Sequence, residues 1–331
     1  MPPSFPFFRL PILIQLLVLK NAGLLELFFF SQISKRSKHI VKSLNLTLSK
    51  LCWDLASSRI NVNGIIVPAV VSRERNGIPA YLDIQTTSVE ESWALMDKFT
   101  EYFLELFKVS KYAVRLPNVP NLRNWFMWKY TTRFEKVQVA EWLYNGTRRS
   151  GQLTSDNLKF VLEELTIDNV LDIQVLVEEG VRYSGPLKMK ELCTMSRNWL
   201  TLEAVLNMDC ETLYFHFATI TYQDLNAIIK KWLTGGLKNL KYLTIRLYST
   251  QLPQQESRNT KLDRVFEGIE YFPWVANNRP ENITLFSDSF GYRHTFQGGR
   301  DIRRSDGTIA TVNFANNDFV FYIWNHLSVN Q

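Results

Sequence analysis

The feature that most constrains this chain is the way its most apolar stretch is broken up. From Leu10 to Phe30 the sequence reads LPILIQLLVLKNAGLLELFFF. A membrane-spanning helix needs about 18 or more apolar residues without a break. Gln15, Lys20, Asn21, Gly23 and Glu26 interrupt this one, so no membrane span is expected. A secretory leader fits less directly. LPILIQLLVL has the size of its apolar region and Asn21-Ala22-Gly23 supplies small residues, but only Arg9 precedes it and the apolar content resumes at Leu24. The breaks instead predict short helices. Pro11 stands at a helix start, where its missing N–H is not needed. Ile12–Lys20, Leu24–Phe30 and Ser31–Leu44 follow, and in the last of these Ile33, Ile40, Val41 and Leu44 form one stripe against Lys35, Arg36, Lys38 and Lys42. Helices this short cannot hide so much apolar surface from water by themselves, so part of it must meet another domain or another protein.

Composition narrows the class. Hydrophobic residues make up 46% and charged residues 21% of the 331, which is a globular balance. The net charge of +6 mixes both signs along most of the chain, so no nucleic-acid partner is expected. Cys52, Cys193 and Cys210 have no CxxC neighbour, and an odd number argues for free thiols in a reducing compartment. His39, His216, His294 and His326 are far apart, and no zinc or other metal spacing or cofactor motif is present. Glu163-Glu164, read as part of a strand over Leu162–Ile167, point to opposite faces and make a poor acid/base pair. Sequons at Asn45, Asn145 and Asn282 matter only if the chain is secreted.

Taken together, Phe5-Pro6-Phe7-Phe8-Arg9-Leu10-Pro11, Val18-Leu19-Lys20, Leu24-x-Glu26-Leu27 and Ser31-Gln32-x-Ser34-Lys35-Arg36-Ser37 resemble an F-box, in the variant of the nematode-expanded F-box families. The resemblance covers residues 5–44. It implies docking to a Skp-type adaptor and a cullin-based ligase, with Leu10, Pro11, Ile14, Val18, Leu24 and Leu27 as adaptor-binding positions, each of which has an ordinary core contact as its alternative. Gln15-Leu16-Leu17 departs from the family, whose first helix carries an acidic residue near its centre. The basic run reads either as a solvated helix face or as a weak nuclear-localisation patch.

Beyond it, residues 45–87 predict short strands and loops. Ser88 and Glu91 form a capping box before a helix whose Met96, Phe99, Phe103 and Leu106 share a face. Ala113–Leu116 predicts a strand. Trp125-Phe126-Met127-Trp128 is read as core rather than a base or sugar site. Asn145–Gly151 is a basic, turn-rich boundary. Then strands and helices alternate. Thr212–Phe217 and Tyr242–Leu247 predict strands around a helix capped by Thr221 and Asp224, with Leu225, Ile228, Ile229, Trp232 and Leu233 on its inner face and Gly235-Gly236 at its end. Leu213 and Leu243 then lie one strand–helix period apart, as in leucine-rich repeats. Asp301–Arg304 and Thr308–Phe314 predict a hairpin across Asp306-Gly307, and Phe319–Trp324 a central strand.

Leu206-Asn207-Met208-Asp209-Cys210, Thr221-x-x-Asp224-Leu225-Asn226, Trp232, Gly235 and Leu240-Lys241-Tyr242-Leu243 resemble the type-2 F-box-associated domain. The expected architecture is therefore mixed α+β. A helical F-box (5–44) leads into a mixed α/β segment (45–150) and an F-box-associated domain (151–331) with leucine-rich-like units and a C-terminal antiparallel meander. The resemblances imply a non-catalytic substrate receptor of an SCF-type (Skp–cullin–F-box) ubiquitin ligase, cytoplasmic or nuclear, with an unidentified target protein. A scaffold using the F-box outside a ligase, and a secreted glycoprotein, are the alternatives.

Overall fold

The computed structural model describes residues 6–63, 65–68, 89–144, 147–149, 151–194, 199–218, 220–247, 256–274, 282–286, 291–295, 298–315 and 318–324. The chain divides into two compact units, Met1–Ala113 and Val114–Gln331, so the division falls within the expected 45–150 segment.

The first unit begins with a 3-10 turn (Phe7–Arg9) and helices α1 (Ile12–Lys20), α2 (Leu24–Ile33) and α3 (Lys35–Ser43). The second boundary differs from the Ser31 start expected for the third helix. Ser31 stays inside α2, its Oγ donating to the Phe28 carbonyl at 2.6 Å. The break comes at Ser34, whose backbone is extended and whose Oγ accepts from the Ser37 N–H at 3.0 Å. At the other junction the Gly23 N–H donates to Glu26 Oε2 at 2.7 Å, which starts α2 and uses up the acid.

Strands β1 (Thr47–Leu48), β2 (Leu51–Asp54), β3 (Arg59–Val62) and β4 (Ile65–Pro68) follow, the last three as an antiparallel meander. Helix α4 (Val89–Leu106) and β5 (Lys108–Val109), which pairs with β1, complete the unit. Ser88, the expected cap of α4, lies outside the described residues. Met96, Phe103 and Leu106 are buried as their spacing predicts. Trp53, fully buried, donates from Nε1 to Thr100 Oγ1 at 2.8 Å and so ties β2 to α4.

Strand β6 (Tyr112–Pro117) carries the chain into the second unit. There β7 (Arg133–Ala140) and a β8–β9 hairpin (Trp142–Tyr144, Thr147–Arg149) precede α5 (Ser155–Lys159). A π-helical turn over Phe160–Glu164 continues α5. The expected strand over Leu162–Ile167 is thus corrected: β10 runs from Thr166 to Ile173. Thr154 caps the helical segment by accepting from Asn157, and Phe160 and Val161 are buried beneath it. Glu163 and Glu164 therefore sit on a helical turn, where Glu164 pairs with Arg123. Next come β11 (Glu191–Thr194), α6 (Leu202–Leu206), β12 (Thr212–Ala218), α7 (Tyr222–Leu233) and β13 (Tyr242–Leu247). The Thr221/Asp224 capping box of α7 is formed, and Leu225, Ile228, Ile229 and Trp232 are buried.

Strands β7, β10, β11, β12 and β13 run parallel, each paired with the next, with register shifts between Ile167 and Val170 on β10 and between Phe215 and Ala218 on β12. Val137, Leu171, Leu192, Leu213 and Leu243 occupy one continuous cross-strand row, and all are fully buried. The period anticipated from Leu213 and Leu243 is thus part of a longer row. The opposite face carries Gln138, Asp172, Cys193, Tyr214 and Thr244 in their own row. The remainder is α8 (Arg258–Val265), β14 (Phe272–Pro273), a β15–β16 hairpin (Asn282–Phe286, Gly291–Thr295), β17 (Arg300–Arg303), β18 (Ile309–Ala315) and β19 (Asp318–Ile323). β19 lies between β13 and β18, antiparallel to both, and the β17–β18 hairpin turns at Gly307, which takes φ +88°.

Candidate docking surface

α1 is apolar on every side except Gln15 and Lys20, so periodicity does not tell which face is inside. The structure decides it in an unexpected way. Gln15 points inward and is 1% exposed, its Nε2 donating to the Leu10 carbonyl at 2.7 Å. That bond holds the chain entering α1 against the helix. Leu19, one turn on, is buried beside it. With Gln15 and Leu19 inside, Ile12, Leu13, Ile14, Leu17 and Val18 face solvent, Leu13 at 70% and Leu17 at 59% exposure. On α2, Phe29 and Ile33 are also exposed; Ile33, expected on the inner stripe of the third helix, ends α2 instead.

Of the expected adaptor-binding positions, Pro11, Ile14 and Val18 are exposed and Leu10 and Leu24 half-buried. Leu27 is 2% exposed and packs inside the unit. Ile12, Leu13, Leu17, Phe29 and Ile33 are exposed as well, outside the expected set. Their only signal is the excess of apolar residues over what three short helices can bury. Isolated exposed apolar residues are ordinary, but five on one nine-residue helix make a contiguous apolar face, which is what makes α1 the candidate docking surface. Covering each aliphatic side chain is worth about 1.5–3 kcal/mol.

The α2 side of this surface is backed by aromatic packing. Phe28 stacks on Phe103 at 4.7 Å and on Phe99 at 5.0 Å, and meets Tyr102 edge-on at 5.7 Å. Ser31 and Tyr102 share a hydrogen bond of 2.9 Å, and Lys38 pairs with Glu105 at 2.5 Å while lying over the Tyr102 ring. The pair draws the Glu105 carboxyl below its ordinary range. At the start of α1, Phe7, Phe8 and Phe30 form an aromatic cluster, and Arg36 lies over the Phe8 ring at 5.0 Å.

In the second unit the notable group is Asp172, fully buried, with Oδ2 accepting from Gln138 at 2.9 Å and Gln174 at 3.0 Å. Burial raises its pKa to about 6 against the pull of those two amides. Burial also pushes the thiol of its cross-strand neighbour Cys193 far up, and that of Cys210 to about 12, so neither is an activated nucleophile. Among the described residues no group of His, Cys, Asp and Glu has the makings of a metal site, and no helix is long and apolar enough to cross a membrane.

Comparison with known proteins agrees with both resemblances. The F-box domain family matches residues 7–49 and an F-box associated family matches residues 185–245. α1, α2 and α3 lie within the first match, and α6, β12, α7 and most of β13 within the second. The chain is 26% identical over 172 residues to E3 ubiquitin-protein ligase hecw-1 of Caenorhabditis elegans, an overlap of 52% of this chain but only 12% of that ligase. It is 21% identical over 339 residues to an uncharacterized protein of the same organism, covering 94% of this chain and 74% of the relative. Skn-1 dependent zygotic transcript 15 protein, also from C. elegans, is 22% identical over 350 residues, with 94% of each chain covered. No solved structure matches.

Proposed function

We propose that this chain, which carries an F-box followed by an F-box-associated domain, is the substrate-receptor subunit of an SCF-type ubiquitin ligase. The observation that carries the reading is the open apolar face of α1 inside the F-box match. Leu13, Ile14, Leu17 and Val18 have the i, i+1, i+4, i+5 spacing of a helix that lies in a groove. A Skp-type adaptor supplies such a groove, and a few buried aliphatic anchors carry most of the energy. The second unit holds the target protein.

The contribution to ubiquitin transfer is proximity. A target held on the same assembly as a ubiquitin-charged enzyme meets it at an effective concentration of about millimolar. The receptor needs no catalytic group of its own for that. A place in the cytoplasm or nucleus, with the rest of the ligase, follows from this reading.

The test is co-purification. The full chain should bring down a Skp-type adaptor and a cullin, and the Ile14→Asp/Leu17→Asp variant should bring down neither. Equal recovery of both with the variant sinks the proposal. Adaptor without cullin points to a scaffold outside a ligase.

A further inference from the structure

The same helical unit is strongly one-signed. Between Pro6 and Leu44 stand Arg9, Lys20, Lys35, Arg36, Lys38 and Lys42, and the one acid, Glu26, is committed to the start of α2. Lys38 is neutralised by Glu105, whose carboxylate also feels the charge of Lys42. Arg9, Lys20, Lys35 and Arg36 have no acidic partner among the described residues. Three of these bracket the open face of α1. Arg9 precedes Leu10 and Pro11 at its N-terminal end. Lys20 closes its C-terminal end, where a cation also suits the helix dipole.

Arg36 is the third. It reaches across from α3, donates from Nη2 to the Phe8 carbonyl at 3.1 Å and stacks over the Phe8 ring at 5.0 Å. The residue is nevertheless exposed. The hydrogen bond and the ring stacking together hold the guanidinium, and no acidic side chain among the described residues pairs with it. Lysine could not do this: its ammonium is a point charge without the planar fork that accepts a carboxylate with two hydrogen bonds.

We infer that the docking face of α1 is built for a groove rimmed by carboxylates, with Arg36 as the pre-oriented carboxylate receiver at one end and Lys20 as a looser partner at the other. The inference rests on the docking proposal and adds the partner's chemistry to it. Apolar anchors supply most of the affinity. The flanking cations set orientation and encounter rate, and reject a groove with a basic rim.

The test measures binding of the full chain to a purified Skp-type adaptor at about 50 mM and about 500 mM salt, at which screening lengths differ about threefold. Arg36→Glu/Lys20→Glu is expected to weaken binding about tenfold at the lower salt and less than about twofold at the higher, with the loss mainly in the association rate. Arg36→Lys, which keeps the charge and loses the fork, should weaken binding about two- to threefold with little change in salt dependence. Lys238→Glu makes the same kind of charge change on the exposed surface of the second unit and should alter nothing. Wild-type binding that ignores salt and survives Arg36→Glu/Lys20→Glu overturns this inference while leaving the docking proposal intact. Absence of adaptor binding at every salt overturns the docking proposal and this inference with it. Capture of the wild type on phosphatidylserine vesicles, with Arg36→Glu/Lys20→Glu released from them but equal to wild type on the adaptor, reassigns the cations to a membrane surface and overturns it too.

Discussion

Leu213 on β12 and Leu243 on β13 stand directly opposite each other in a parallel pair, both fully buried. Leu192 flanks Leu213 on β11, and Leu171 follows on β10. Four strands that are distant in sequence thus present the same residue at the same height. Both faces of this sheet are buried here, so a one-residue slip would put the polar Asp172, Cys193, Tyr214 and Thr244 into the space the leucines fill and the leucines among the amides around Asp172, and such a row therefore fixes register.

Leu213→Ala and Leu243→Ala should each therefore cost about 3 kcal/mol in denaturant unfolding. Because the two share a contact, the double variant should depart from additivity by about 0.5 kcal/mol or more. Additive losses would mean that the row is a coincidence of register and not a packed unit.

Asp172 gives the second unit a pH dependence with a definite sign. Its folded pKa of about 6 lies above the ordinary 3.8, so the folded state holds the proton more tightly. The stability contributed by this group is full below the ordinary value and is lost as pH rises through about 6. The shift corresponds to at most about 3 kcal/mol. Asp172→Asn cannot ionise and should remove this loss. The difference in unfolding free energy between variant and wild type should grow from about pH 4 to about pH 7 in the variant's favour. A difference that is flat with pH would place the proton elsewhere.

The docking face and the inside of its helical unit should separate cleanly. Leu17 is 59% exposed and Leu27 is 2% exposed, although both are leucines in the F-box match. Leu17→Asp should shift the unfolding free energy by less than about 0.5 kcal/mol and abolish adaptor capture. Leu27→Asp buries a charge and should unfold the first unit, lost near-ultraviolet circular dichroism being the readout. Adaptor capture by a folded Leu27→Asp protein would contradict the assignment.

The F-box match ends at residue 49, but its core does not. Phe28 is stacked on Phe99 and Phe103 of α4. Phe103→Ala should cost about 3–5 kcal/mol and loosen α2 along with α4. Hydrogen exchange at the α2 amides reads this directly: protection unchanged in the variant would show that the helices of the match stand without α4.

What could be read from sequence follows a physical line. α7 was legible because its signals are local: Thr221 and Asp224 cap it, its face repeats at helical spacing, and a glycine with φ +86° follows it. The hairpin at Gly307 was legible for the same reason. Leu162–Ile167 was misread because a Leu-Glu-Glu-Leu run suits either structure, and the deciding cap, Thr154, lies well upstream. The orientation of α1 had no local signal at all. A helix apolar all round shows no face, and the usual inference that its polar residue points outward fails, because Gln15 finds its partner in the Leu10 carbonyl. The stacking of Phe28 on α4 joins residues 71 and 75 positions apart, beyond the reach of any periodicity.

Gln15 yields the last prediction, and it bears on the acidic residue that the first helix of the resembled family carries near its centre. At this position an acid would be buried and would face a carbonyl oxygen. In Gln15→Glu, the ionised carboxylate has no N–H to give to Leu10, whereas the protonated carboxyl has an O–H that replaces the amide donor. The variant should therefore have a raised carboxyl pKa in the folded state. Its stability should be near wild type at about pH 4, and about 1–3 kcal/mol or more should be lost as pH rises through that folded value. Gln15→Leu, which leaves the carbonyl without a donor at every pH, should lose about 1–3 kcal/mol without pH dependence. Thermal unfolding of the two variants across that pH range distinguishes the cases. If Gln15→Glu is as stable as wild type at about pH 8, well above the ordinary carboxylate range, the side chain at this position reaches water, and the inward orientation of this face of α1, with the docking face it defines, is wrong.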